Sequence, residues 1–247
     1  MNYEDFLELA KKRRSIRRFK SDPVPDEYID KIIEAARWAP SGGNSQPWEF
    51  IVIKKKELRD KIAEIAQEQY GITHKMEMLR EPKLGFPKYT TPPVGKPGFA
   101  TAPIFILPCG DTRTKEVYPK SMTMTIGNSI FITTMANALI YMILAANTLG
   151  LGAQQVSVIE TPFAQAQIKA LLKIPKELMV YELLVIGYPD MEPPGKTMRD
   201  RNEMVHYDSF DVSRYRTQQQ IDDYTVFCRT ETVAQDGTPL PPVVSNR

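Results

Sequence analysis

Residues 39–50 read Ala-Pro-Ser-Gly-Gly-Asn-Ser-Gln-Pro-Trp-Glu-Phe, and the first ten of them carry no charge. Apolar residues at helical spacing precede this stretch, from Tyr28 to Ala36, and Trp48–Ile53 is rich in the aromatic and β-branched residues typical of strands. The stretch is therefore a helix-to-strand loop. Its glycines would allow a flat ligand to approach the backbone, and its polar side chains offer donors and acceptors, although an ordinary turn also uses Gly and Asn.

Working outward from this loop, the pattern of apolar residues predicts helices and strands in the order α α β α β α β α β. The predicted helices lie at 3–10, 28–36, 58–66, 126–146 and 161–173, and the predicted strands at 48–53, 102–107, 155–159 and 180–186. This order indicates an α+β or α/β sandwich in which helices cover a small sheet. We expect a single domain over residues 1–207 and a C-terminal extension over 208–247 that forms an extended arm or frays. Residues 71–100 show no period, which predicts a functional lid or a disordered loop.

Composition excludes several classes of function. The 247 residues include 32 Lys plus Arg and 30 Asp plus Glu, a balance that argues against a nucleic-acid or membrane-surface protein. The chain has two His and two Cys, none at metal-ligand spacing, so we expect no metal site and no disulfide scaffold. Any demanding chemistry would then come from a cofactor.

The segment from Ser121 to Ile159 contains no charged residue, and Ile126–Ala146 has the length of a membrane span. Polar residues such as Asn128 and Asn137 interrupt it, and they would be costly in lipid. We therefore expect a helix buried in a core or a subunit interface. The N-terminus has no signal-peptide pattern, which favours a cytoplasmic protein.

Three further segments could carry chemistry. Arg13–Phe19 (RRSIRRF) offers guanidinium groups and a hydroxyl for an anion, or a solvated basic face. Leu149–Gln154 (LGLGAQ) ends the uncharged helix and does not match the Rossmann fingerprint. Lys196–Arg201 (KTMRDR) forms a second basic cluster, which indicates little by itself.

Together, RRSIRRF, APSGGNSQPWEF, LAANTLGLGA and GYPD…RDRNEMVHYD occur in an order and spacing that resemble the flavin-dependent nitroreductase family, over roughly residues 3–207. The resemblance implies a sandwich with a central, mostly antiparallel sheet flanked by helices, and a long buried helix at a homodimer interface where FMN binds. It also implies hydride transfer from NAD(P)H to FMN, followed by reduction of an electron-poor molecule such as a nitroaromatic, quinone or activated alkene. No catalytic acid or base is expected from the protein itself.

The resemblance also implies which residues bind the flavin. The residues that match the phosphate contacts of the family are Arg13, Arg14, Ser15 and Arg199, and Arg17 matches the contact at the pyrimidine edge of the flavin. The residues that match the loop against the isoalloxazine ring and the ribityl chain are Pro40, Ser41, Gly42 and Asn44. The residues that match the contacts on the N5 and O4 side are Gly152, Ala153 and Gln154. The loop residues often come from the partner subunit. Asp200 stands where the family often has Pro, so Arg201 remains an alternative to Arg199.

Substrate contacts are expected from the lid. The candidates there are Tyr70, His74, Lys75, Phe86 and Tyr89. Deiodinase-like relatives grip a zwitterion with an acidic, a tyrosyl and a lysyl residue in this lid, for which Glu68, Tyr70 and Lys75 are the nearest matches. The alternatives within this fold are reductive dehalogenation and flavin breakdown. A non-catalytic flavin-binding protein, or a nucleic-acid-binding protein that uses the Arg13–Arg18 run, is the alternative of another class.

Overall fold

A computed structural model describes residues 2–80, 95–193, 195 and 198–230. The helices are α1 Tyr3–Lys12, α2 Asp26–Arg37, α3 Lys56–Glu77, α4 Lys120–Thr125, α5 Gly127–Thr148, α6 Pro162–Leu172 and α7 Gln218–Thr230. The strands are β1 Trp48–Ile53, β2 Ile104–Asp111, β3 Gly152–Val156, β4 Leu178–Val180 and β5 Leu183–Gly187. Short 3-10 turns join several of these elements.

The five strands form one sheet in the order β1-β2-β5-β3, and β4 pairs with the far end of β2. Each of these pairings is antiparallel. Alternate residues of β2 and β5 point to opposite faces: Ile104 and Ile186 join a core with α2 and α5, while Phe105 and Val185 join a core with α3 and α6. The predicted α+β sandwich with a mostly antiparallel sheet is confirmed.

The prediction of one strand over 180–186 was wrong, because the structure has two strands separated at Tyr181–Glu182. β2 contains Pro108, which has no N–H to donate to a sheet partner. The Tyr181 N–H donates to the Pro108 carbonyl oxygen at 3.0 Å, and β5 begins after this point. Strand β3 likewise covers Gly152–Val156 rather than 155–159, since residues 157–160 form a 3-10 turn.

The sequence also underestimated two helices. Helix α3 was expected to end near Ala66, with an irregular lid from residue 71, yet it continues to Glu77. Gly71 and the β-branched residues after it weaken the local helix signal, while the buried side chains of Tyr70 and Glu77 stabilise the helix through tertiary contacts. Within the expected extended arm, α7 forms from Gln218, where Thr217 and Gln220 make the two reciprocal bonds of a capping box.

Helix α5 ends in a Schellman motif: Gly150 adopts φ +74°, and the Leu151 N–H donates to the Ala146 carbonyl oxygen at 2.9 Å. By length and composition, α5 is the one helix in the described part of the chain that could cross a membrane, and 44% of its most apolar window is buried in the chain. One side packs in the core, while Ile132 and Ile140 on the other side are each 41% exposed. Its predicted place at a dimer interface remains a prediction.

Candidate active site

The basic segment Arg13–Phe19 joins the open edge of the sheet beside β3. Ser15 forms a parallel bridge with Ala153, and the Ile16 N–H donates to the Ala153 carbonyl oxygen at 3.0 Å. Further along, Phe19 bridges Pro189 in an antiparallel sense. The segment around Arg14 therefore meets both β3, at Gly152 and Ala153, and the GYPD stretch that follows β5.

The basic segment can pack this closely against β3 because Gly152 has no side chain. A Cβ at Gly152 would lie 2.6 Å from Ile16 Cγ1 and 2.8 Å from Ile16 Cβ. Ile16 is 6% exposed and belongs to the core, so it cannot simply swing into solvent. The glycine therefore allows the basic segment to pack against β3, and its predicted contact with the flavin stays a prediction.

The arginines of this segment have no carboxylate partner within the described ranges. Arg17 is the most enclosed: burial lowers the pKa of its guanidinium, the Tyr70 phenol raises it, and the charge of Arg14 lowers it. Cations held close together and partly away from water attract an anion strongly, because the anion relieves both repulsion and desolvation.

Gln154 lies on β3 next to this cationic segment and is 7% exposed. Its Oε1 atom is buried and accepts no hydrogen bond from any residue that the structure describes. A buried amide oxygen without a donor is costly in a folded protein. The site is therefore suited to a ligand that brings an N–H group.

The loop with Pro40, Ser41, Gly42 and Asn44 packs on α5. The Gly42 N–H donates to Thr134 Oγ1 at 3.2 Å, and Asn137 Nδ2 donates to the Pro40 carbonyl oxygen at 3.0 Å. A Cβ at Gly42 would lie 2.3 Å from Ile130, so the loop approaches α5 as closely as glycine permits. Within the described part of one chain, no hydrogen bond or ion pair joins this loop to the basic segment.

Sequence reasoning missed Thr134 and Asn137, which hold this loop. Asn137 was noted only as a polar interruption that argues against a membrane span, and Thr134 interrupts the same apolar stretch. Thr134 is 1% exposed and Asn137 is partly buried on the same side of α5, one turn further along. The signal that could have identified them is polar residues at i and i+3 within an otherwise apolar helix, because a polar group buried in a core needs a partner.

The described contacts of Arg199 are with residues 203–221. It contacts Glu203 at 3.4 Å and lines a cavity of 350 Å³ with His206 and with Phe210 and Arg216 of the C-terminal extension. Neither Arg199 nor Arg201 makes a hydrogen bond to the segment 13–19 among the described residues. The assignment of either residue to the phosphate remains a prediction.

Tyr70, His74 and Lys75 lie on α3 rather than on an irregular loop, which corrects their predicted setting. Tyr70 is 8% exposed and faces the core beside Arg17. His74 and Lys75 line a cavity of 510 Å³ on another side of the helix, together with Glu68 and Lys96. Phe86 and Tyr89 lie outside the described residues.

Comparison with known proteins identifies the family of this chain. The profile of the Nitroreductase family matches residues 10–188, most of the chain. The chain belongs to the nitroreductase family. The match covers the basic segment, the loop on α5 and β3, and it ends just after β5. Family membership supports an oxidoreductase.

Individual relatives of this nitroreductase-family chain fall into two groups. Iodotyrosine deiodinase 1 of Rattus norvegicus is 32% identical over 81% of this chain, which spans 66% of that protein's length. A putative NADH dehydrogenase/NAD(P)H nitroreductase of Archaeoglobus fulgidus is 30% identical over 80% of this chain and 93% of its own length. An FMN-dependent nitroreductase of Clostridium difficile R20291 superposes with a TM-score of 0.60 at 27% identity, covering 83% of this chain and 99% of that one.

Proposed function

We propose that this protein is an FMN-dependent oxidoreductase that takes hydride from NAD(P)H and reduces an electron-poor small molecule by a ping-pong mechanism. The observation that carries the proposal is the junction between the basic segment and β3: the arginines of the segment have no carboxylate partner among the described residues, and Gln154 of β3 has a buried amide oxygen to which no described residue donates. The similarity to an FMN-dependent nitroreductase supports it.

The residues at this junction fit FMN, which has a dianionic phosphate at one end and a flat ring with an N–H group at the other. Arg13, Arg14 and Ser15 would hold the phosphate through charge-assisted hydrogen bonds. Arg17 and Gln154 would meet the ring. When bound, FMN supplies a centre that accepts hydride and passes electrons to an acceptor, which no side chain of the site can do.

The chain's own contribution is binding and electrostatics. Arg17 is partly buried and stays charged, so it stabilises negative charge that develops on a ligand beside it more strongly than an exposed arginine would. Gln154 Oε1 would orient the ring by accepting a hydrogen bond from its N–H. No hydrogen bond to this oxygen from a described residue would have to be broken first. No side chain needs to act as a nucleophile or a general base.

We also propose that the site is completed by a second copy of the chain. In one chain the loop at Pro40–Asn44 is held on α5 and does not bond to the basic segment within the described ranges. The outer side of α5 carries no charge and exposes Ile132, Ile140 and Tyr141, each by about two fifths. A homodimer through α5 would bury this surface and bring the loop of one subunit towards the cations of the other.

A direct test uses the purified full-length protein. The proposal predicts a yellow protein with one FMN per chain, which oxidises NADH or NADPH in the presence of a nitroaromatic or quinone acceptor. A colourless protein that neither binds added FMN nor acquires NAD(P)H oxidation would refute it. Light scattering coupled to gel filtration tests the dimer separately, because a monomer that binds FMN fully would refute only the shared site.

Reductive dehalogenation is the second candidate function, favoured by the similarity to iodotyrosine deiodinase. In the structure Glu68 and Lys75 line the same cavity, and opposite charges on one wall suit a zwitterionic amino acid. In such a reaction a carbon–halogen bond is replaced by a carbon–hydrogen bond, with two electrons and one proton consumed and halide released. Anaerobic assays with iodotyrosine and a nitroaromatic, each with NADPH or dithionite, separate the two functions.

A further inference from the structure

The C-terminal extension is tied to the end of helix α3 by a buried ion pair. Arg229 of α7 donates to Glu77, the last residue of α3, although 152 residues separate the two. The side chain of Glu77 is only 9% exposed and that of Arg229 is 14% exposed. Arg80 contacts the same carboxylate at 3.0 Å, but its side chain is 46% exposed. Of the described cations that contact Glu77, Arg229 is therefore more enclosed than Arg80.

Packing contributes little to the position of α7. None of the residues 218–229 is buried, and the apolar side chains of Tyr224 and Phe227 remain 41% and 38% exposed. A helix without a buried face depends on specific polar contacts for its place on the body. The pair Glu77–Arg229 is such a contact, and its low exposure makes it stronger than an ion pair in water.

Glu77 lies one turn beyond His74 on α3, and the two are coupled through the backbone. The Met78 N–H donates to the His74 carbonyl oxygen at 3.2 Å, so the last turn of the helix includes both His74 and Glu77. His74 and Lys75 line the 510 Å³ cavity. Any change that lets the last turn of α3 fray would move this wall of the cavity.

We propose that the electron acceptor enters this cavity and that Arg229 is a positioning residue for it: by pairing with Glu77, Arg229 fixes the last turn of α3 and hence the His74 and Lys75 wall of the cavity. The inference rests on the proposed oxidoreductase function. It gives the C-terminal extension a role in acceptor binding although α7 itself does not line that cavity. Removing Arg229 leaves an enclosed carboxylate with one exposed cation, and the helix end must open towards water to solvate it.

The test compares Arg229→Ala, Arg229→Lys and a control, Arg113→Ala, in the full-length holoenzyme. Arg113 also pairs with an aspartate, but its side chain is 71% exposed and it lies outside α3 and α7. For Arg229→Ala we expect the KM for the acceptor to rise about 10-fold, the size of a typical coupling between contacting groups, with kcat and FMN content within about 2-fold of wild type. Lysine, which can make one contact to the carboxylate, should restore part of the affinity.

A second readout separates positioning from a general loss of stability. Backbone amides at 74–80 should exchange hydrogen faster in Arg229→Ala than in wild type, while those of β2 and β5 should not. In a Glu77→Gln background, adding Arg229→Ala should change the acceptor KM by less than about 2-fold, since the enclosed carboxylate that Arg229 neutralises is already gone.

Two outcomes overturn the inference. Arg229→Ala could match Arg113→Ala in both acceptor KM and amide exchange, or it could accelerate exchange at 74–80 without changing the KM. Failure of the proposed function would appear differently, since wild type would then bind no FMN and reduce no acceptor. In that case the exchange data still decide whether Arg229 holds the end of α3.

Discussion

Replacing Gly152 by alanine tests whether the junction between the basic segment and β3 forms the cofactor site. The added Cβ would lie 2.6, 2.8 and 3.1 Å from Ile16 Cγ1, Cβ and Cγ2. Ordinary carbon–carbon contacts are about 3.5–4.0 Å, so Ile16 and the backbone attached to it must move by about 1 Å. The movement would lengthen the 3.0 Å hydrogen bond between Ile16 N and the Ala153 carbonyl oxygen.

The expected cost follows from these contacts. Overpacking of a filled core costs about 1–3 kcal/mol. A weakened backbone hydrogen bond adds about 1 kcal/mol. We therefore expect the free energy of unfolding of apo-protein to fall by about 2–4 kcal/mol. The arginines that would hold the phosphate, Arg13 and Arg14, lie just before Ile16 in the chain, so FMN affinity should fall as well, by about 10-fold for each 1.4 kcal/mol of lost binding energy.

Urea unfolding of the apo-protein and titration with FMN, followed by its fluorescence, measure both quantities. Gly71→Ala is the matched control, because a Cβ at Gly71 meets nothing within 4 Å and lies within a helix, where alanine is favoured by about 1 kcal/mol. The reasoning would be refuted if Gly152→Ala kept wild-type stability and wild-type FMN affinity. If stability fell and FMN affinity did not, the packing argument would stand and the placement of the cofactor would be wrong.

Four further predictions concern single side chains. Arg14→Ala should weaken FMN binding about 10- to 100-fold through loss of charge-assisted hydrogen bonds to the phosphate. The affinity for riboflavin, which lacks the phosphate, should stay within about 2-fold of the wild-type affinity. Equal losses of affinity in titrations with FMN and with riboflavin would contradict a phosphate contact. Gln154→Leu should leave the stability of the apo-protein in urea unchanged or slightly higher, because it removes a buried oxygen that has no donor among the described residues. The same change should weaken FMN binding about 10-fold. A destabilised apo-protein would show that the oxygen has a partner. Burial, assisted by the charge of Glu160, raises the pKa of Glu182 from 4.5 to about 7. Between these pH values the native chain keeps a proton that the unfolded chain releases, so the free energy of unfolding falls as the pH rises. Glu182→Gln should remove up to about 3 kcal/mol of that fall, measured by urea unfolding at pH 4.5 and pH 8. Burial raises the pKa of Cys109 to about 12 and the residue is fully enclosed, so iodoacetamide at pH 8 should label it only after unfolding, whereas the partly exposed Cys228 can react in the native protein. Mass spectrometry of the peptide that contains Cys109 measures this, and rapid labelling of that peptide in native protein would contradict the prediction.

The features that could be predicted from the sequence are those with a local physical signal. The apolar periods of α2 and β1 identify the elements that flank the loop at Pro40–Asn44, and the glycine after α5 identifies the end of that helix. The meeting of Arg13–Phe19 with Gly152 was expected only from the resemblance to a family. No spacing rule brings these two segments together, since their contact depends on the shapes of Ile16 and Gly152.

The errors share a cause in contacts between residues distant in sequence. Helix α3 was shortened because Gly71, Ile72 and Thr73 are weak helix formers, and only the tertiary contacts of Tyr70 and Glu77 show why the helix continues. Helix α7 was the avoidable error, because Thr217 and Gln220 at capping-box spacing are a local signal for a helix start.

The two halves of the predicted cofactor site illustrate what sequence order leaves open. The arginines lie at the open edge of β3, and the glycine loop is held on α5 by Thr134 and Asn137. A motif in the right order along the chain does not specify which copy of the chain supplies it. If the proposed second copy supplies the loop, the close packing of Gly42 on Ile130 would hold the loop rigidly on α5, so that α5 presents it to the other subunit in a fixed position. The uncharged character of α5 would thus serve the dimer and the cofactor site together.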